Sequence, residues 1–179
     1  MARLPFTAQE MLALAQQETG IDYDDSAILP ALERLVSSFN DDGQPHEQGA
    51  EALHQRVLRS LKNRVRMGRD IAAHPDILEQ RIERPIFICG MARTSSTKTQ
   101  KLLASSGDFN FLTFWKALNP ALYTGDPNES PQARIDDTEA YARWFDAQSP
   151  DTKKKIVEAS DVSCVLLVGN RYCLHPSSS

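Results

Sequence analysis

The stretch Pro85-Ile86-Phe87-Ile88-Cys89 constrains this chain more than any other. It is apolar, bounded by a proline and by Gly90, and too short for a helix, so it reads as a buried strand. The residues that follow, Thr94, Ser95, Ser96 and Thr97, are small and hydroxylated, and favour loops and N-caps over helix interiors. Leu102 and Leu103 then give the continuing segment an apolar face, so the expected order is strand, turn, helix. At such a helix N-terminus the backbone N–H groups lack intrahelical partners and the macrodipole favours negative charge. Arg93, at the tip of the turn, adds a planar, permanently charged fork suited to phosphate or sulfate. The candidate working site is therefore an anion cradle.

Around it the chain has the composition of ordinary globular protein. Its 179 residues are 41% hydrophobic and 25% charged, enough for one domain or one and a half that buries roughly 70% of its unfolded surface. A net charge of −4 argues against a protein devoted to nucleic acid. No apolar run reaches the length of about 18 residues that a membrane span needs, so no membrane association is expected. The first residues, MARLPFTAQE, lack the apolar core of a signal peptide. Cys89, Cys164 and Cys173 are widely spaced and odd in number, as reduced thiols of a cytoplasmic protein would be.

Residues 1–83 read as a helical section. Thr7 and Glu10 form a capping-box pattern, Phe6 can staple against Met11, and Gly20 marks the stop of the first helix. A second helix starts near Pro30, with Leu32, Leu35 and Val36 on one face, and ends in the turn Asn40-Asp41-Asp42-Gly43. The third runs from about Glu47 to Ala73, with Leu53, Val57, Leu58, Leu61 and Val65 as its buried stripe. Arg56, Arg59, Lys62, Arg64, Arg66 and Arg69 crowd its second half, where cations complement the helix dipole. A solvated basic face is the plain reading of that run, and a contact surface for an anionic partner the sharper one. Gly68 is a blemish within the helix, and Pro75 suits the first turn of a short helix through Leu78.

Residues 84–179 begin with the strand and the cradle. A turn at Ser105-Ser106-Gly107-Asp108 leads to the most aromatic segment, Phe109 to Leu118, with Phe109, Phe111, Phe114 and Trp115. Such a cluster is ordinarily core, and here it can also wall a pocket beside the anion loop. Asn119 to Pro131 is a loop by its Pro, Gly, Asp and Asn content. Ser130-Pro131 opens a helix through Ile135, Tyr141, Trp144 and Phe145, and Ser149-Pro150 repeats the signal for a helix to about Ala159. Val162 to Val168 suits a second buried strand or the start of a buried helix equally well. From Gly169 onward there is neither periodicity nor a cap.

The nucleoside-triphosphate loop G-x-x-x-x-G-K-[ST] fails in both registers. Counted from Gly90, the second glycine falls on Ser95 and the lysine on Ser96. Counted from Ala92, Lys98-Thr99 matches the ending, but both glycines are lost.

A different pattern fits. The run Pro85 to Thr97 resembles the 5′-phosphosulfate-binding loop of sulfotransferases that use 3′-phosphoadenosine 5′-phosphosulfate (PAPS). It is most similar to the bacterial family whose apolar strand leads into G-x-P-R-T-G-T-T and then a helix with a Leu-Leu pair. The resemblance extends over roughly Ile82 to Phe145. It implies an α/β fold with a P-loop-type three-layer core, incomplete here, preceded by the helical section and mostly α by residue count. It implies PAPS as sulfuryl donor without a metal, held by Gly90, Arg93, Thr94, Ser95, Ser96 and Thr97, with Arg93 as the catalytic cation. The acceptor would be a small, partly apolar molecule bearing a hydroxyl or amine. Ala92 and Ser95 stand where the family has proline and glycine. Lys116 stands where it often has an acidic residue after the tryptophan, and no general base is identifiable. Family members also carry a later block that holds the 3′-phosphate, so a C-terminally truncated relative is expected. The alternatives are a non-catalytic helical interaction module with a basic face and a degenerate P-loop nucleotide-binding protein.

Overall fold

The first helix, α1 (Ala8–Thr19), is fixed at both ends by its own sequence. The Thr7 hydroxyl accepts from the Glu10 N–H at 3.2 Å while the Glu10 carboxylate accepts from the Thr7 N–H at 2.7 Å, which satisfies two donors that the helix cannot. The Thr7 N–H first, and then the Thr7 hydroxyl that donates to the same carboxylate at 3.0 Å, hold the Glu10 carboxyl below its ordinary range. Gly20 stops the helix at φ +66°, a left-handed conformation that costs a glycine little. The structure is a computed structural model that describes residues 6–43, 45–81, 85–88, 96–107, 109–148 and 163–169.

Two compact units result, one of residues 1–78 with 121–129 and one of residues 79–120 with 130–179. In the first unit, α1 packs on α2 (Leu29–Ser38) and on the long α3 (Glu47–Ala73). Their shared core is Ala8, Met11, Ala15, Leu32, Val57, Leu58 and Leu61, with Phe6 and Leu53 packed against it. The stripe expected of α3 is thus the buried one, and Phe6 joins the cluster that contains Met11. On α2 only Leu32 is buried, and Leu35 is exposed. A π-type turn, Phe39–Gly43, ends α2, and the Nδ1 of His46 caps α3 by accepting from the Gly49 N–H at 2.9 Å. Gly68 is no blemish: a Cβ there would lie 2.3 Å from the Tyr23 ring, so the glycine lets that ring rest on the helix.

Lys62, Arg64, Arg66 and Arg69 of α3 are engaged within the same unit. Lys62 pairs with Glu18 at 2.9 Å, and Arg64 forms a two-point ion pair with the buried carboxylate of Asp25. Arg69 binds Asp70 and donates to the carbonyls of Leu122 and Tyr123 at 2.7 and 3.2 Å. Arg66 lies 4.0 Å over the Tyr123 ring. Gly125, at φ +84°, passes so close to the Arg69 guanidinium that a Cβ would meet it at 2.9 Å. The loop after Pro120 is therefore built onto α3, and the basic run is largely a set of structural contacts.

The second unit holds a three-stranded sheet in the order β1 (Ile86–Phe87), β3 (Ser163–Gly169), β2 (Phe109–Thr113), antiparallel at both pairings. Ile86 faces Leu167 and Phe87 faces Leu166, while β2 runs from Phe109 opposite Gly169 to Thr113 opposite Ser163 with a register shift after Phe111. Of the segment from Val162 to Val168, the described part is thus a strand from Ser163, and it is the central one. Helix α4 (Ser96–Ala104) packs on β2 and β3, and α5 (Phe114–Leu118) packs on β2, β3 and α6 (Gln132–Gln148). Among described residues most are helical, and the expected strand of five is shortened to Ile86–Phe87. The helix expected from Ser149 to Ala159 and the tail after Gly169 lie outside the described residues.

Candidate functional site

Strand β1 and helix α4 stand in the order expected of an anion cradle, with residues 88–95 between them. Gly90, Arg93, Thr94 and Ser95 lie outside the described residues. Ser96 and Thr97 are the first two residues of α4, so the hydroxylated run ends at the helix N-terminus. Four N–H groups at such an end have no partner in the helix itself.

The charges of α4 suit an anion there. Its first turn carries no acidic residue, so none of its own carboxylates offsets the positive end of its dipole. Lys98, in that same turn, is exposed. A cation at this position opposes the dipole and weakens the helix slightly, and a bound anion would relieve both. The apolar face expected of Leu102 and Leu103 is only partly present: Leu103 is half-buried, whereas Leu102 is 71% exposed. Gln100 of α4 is buried. Two adjacent leucines cannot both face one direction on a helix that turns about 100° per residue.

The aromatic segment divides between β2 and α5, with Phe109 on the strand and Phe114 and Trp115 on the helix, all half-buried. The sequence pointed to the ring but not to what holds it. Arg134 on α6 is buried and sets its guanidinium 4.9 Å from the centre of the Trp115 indole, and Lys116 lies 5.4 Å from the same ring. Asn119 ends α5 by donating its backbone N–H to the Trp115 carbonyl at 2.9 Å. Its side-chain amide faces α6, within 3.0 Å of Asp137 Oδ2, 3.1 Å of Thr138 Oγ1 and 3.3 Å of the Arg134 carbonyl. Thr138 donates to that carbonyl at 2.8 Å. Asn119, Arg134 and Thr138 left one trace in the sequence, an asparagine directly after the aromatic segment, and it reads there merely as the start of a loop.

Among the described residues no three His, Cys, Asp or Glu side chains are grouped to hold a metal, and no helix is long and apolar enough to cross a membrane.

No protein-family model matches the chain, and neither does any curated protein. Two solved structures are similar to it. Sulfotransferase STF1 from Mycobacterium tuberculosis H37Rv superposes with a TM-score of 0.61 at 21% identity, over 90% of this chain and 45% of its own. Sulfotransferase STF9 from Mycobacterium avium superposes with a TM-score of 0.65 at 22% identity, over 88% of this chain and 40% of its own. The chain therefore has the fold of these sulfotransferases over a span less than half the length of either neighbour.

Proposed function

We propose that this chain is sulfotransferase machinery that takes a sulfuryl group from PAPS to a hydroxyl or amine of a small, partly apolar acceptor. The observation that carries the reading is the sulfotransferase fold in a chain whose hydroxylated run leads into the N-terminus of a helix packed on the sheet. A P-loop-type core, cytoplasmic location and independence from metal belong to the same reading.

PAPS, when bound, supplies the sulfuryl group and a phosphate leaving group. A sulfur–oxygen bond to the 5′-phosphate breaks as the acceptor atom bonds sulfur, and the acceptor proton is lost. Negative charge grows on the bridging oxygen, where a fixed cation and oriented N–H donors help most. Arg93 is the cation in this reading, and Gly90, Thr94, Ser95, Ser96 and Thr97 are the loop that supplies N–H and hydroxyl contacts. The lack of acidic side chains in the first turn of α4 suits a donor that carries several negative charges. Lys116 follows Trp115 and cannot act as a base while protonated.

The test is thermal stabilisation by adenosine 3′,5′-bisphosphate, set beside ATP with Mg²⁺, in the parent protein and in Arg93→Ala. At a ligand concentration of about 100 times Kd, a stabilisation of roughly 2.7 kcal/mol is expected, with most of it lost in the variant. A cooperative melt that shifts with neither nucleotide would remove the donor assignment. A shift with ATP and Mg²⁺ that is lost in Lys98→Ala would replace it with a nucleoside-triphosphate site.

A further inference from the structure

We propose that Arg134 is a positioning residue for Trp115, and that the indole it holds is a wall of the acceptor site. The first half stands on the geometry of the second unit alone; the second half rests on the sulfotransferase reading.

Trp115 sits on a helix of five residues, too short to hold its own orientation in water. Something else must fix it. Asn119 ends that helix and anchors it to α6 through a side chain that is 1% exposed, in contact with Thr138 at 0%. The carbonyl at the centre of this lock, accepting from both, is that of Arg134. The same residue that anchors the backbone thus extends its side chain over the ring, with the guanidinium 4.9 Å from the indole centre. A buried cation over an indole is held more strongly than an exposed one, because water competes less for the cation. Backbone and side chain of one residue together fix both the place and the plane of the ring.

An indole fixed in plane and half-buried presents a rigid apolar surface with little rotamer entropy left to lose on binding. Such a surface suits the flat, apolar part of an acceptor. Lys116, with its Nζ over the same ring 5.4 Å from the centre, adds a second cation to that wall. Arg134 acts on the ligand only through the ring, so its role is to set affinity for the acceptor and not for the donor.

The two tryptophans, Trp115 and Trp144, are separated by working in a Trp144→Phe protein, where Trp115 is the sole indole emitter. The probe is 4-nitrophenol, whose absorption overlaps indole emission. Saturable quenching of Trp115 is expected, with its half-saturation concentration raised roughly fivefold to tenfold in Arg134→Met, the scale of a lost cation–π contact. The near-UV circular dichroism of Trp115 should weaken in the same variant while the far-UV spectrum stays. Arg134→Lys, which keeps the charge and most of the length, should restore part of both signals and serves alone if the methionine variant does not melt cooperatively. Quenching that only rises linearly with probe would overturn the wall assignment. Unchanged dichroism and unchanged half-saturation in the Arg134 variants would overturn the positioning role. Calorimetric binding of adenosine 3′,5′-bisphosphate to the same proteins should not move. Its absence throughout would bring down the donor reading while the Trp115 signals still decide this one.

Discussion

The core of the first three helices and the cluster around Trp115 are held by different chemistry. Ala8, Met11, Ala15, Leu32, Val57, Leu58 and Leu61 form an apolar cluster in the first unit. Beside Trp115 in the second unit, Asn119, Arg134 and Thr138 are buried and polar. An apolar core gains stability in proportion to area removed from water and tolerates loose geometry. A buried polar cluster gains little net free energy but is costly to leave half-made, so it specifies one arrangement. The apolar cluster therefore supplies stability, and the polar cluster fixes one orientation of the groups around it.

The largest effect should come from Leu61→Ala. Leu61 is 4% exposed within the central cluster of the first unit, so truncation leaves a cavity and should cost about 2–5 kcal/mol. Urea unfolding followed by far-UV circular dichroism measures it. A loss below about 1 kcal/mol would mean the site collapses around the deletion, and the scaffold would be softer than its packing indicates.

Asn119→Ala asks the matching question of the second unit. It removes the amide that faces Asp137, Thr138 and the Arg134 carbonyl and should cost roughly 1–3 kcal/mol, because the groups it served stay buried. Asn119→Asp should be no better, since a carboxylate cannot donate to that carbonyl. Hydrogen exchange read residue by residue would show where the loss falls. Protection should fall in α5 and α6 and stay unchanged in α1. A uniform fall across both units would erase the distinction drawn between them.

What was legible in the sequence follows the same division. The first unit is built from local signals: Thr7 and Glu10 cap α1, Gly20 stops it, and the stripe from Val57 to Val65 is the buried face of α3. Periodicity and caps are properties of neighbouring residues, so a sequence displays them directly. Gly68 was opaque because its partner is Tyr23, on another element. The basic run was ambiguous for the same reason, since Asp25, Glu18 and Tyr123 are distant in sequence. In the second unit the strand and the hydroxylated run were legible as composition. The central place of β3 was not, because a short apolar run does not reveal its neighbours. The lock around Trp115 was hidden for a further reason. Asn119, Arg134 and Thr138 are polar residues, and polarity in a sequence predicts exposure unless a partner is already known.

The smallest effect should come from Leu102→Gln, and it sharpens the contrast most cheaply. Leu102 lies on α4 with most of its surface in water, and glutamine is nearly as good a helix former as leucine. The substitution should therefore change stability by no more than about 0.5 kcal/mol and leave the melt independent of protein concentration. A protein that loses much more than this has Leu102 covered in solution. Sedimentation across a concentration series separates the two ways that can happen. Association that weakens in the variant places a second copy on the Leu102 face of α4. A monomer that is nonetheless destabilised places Leu102 against its own chain.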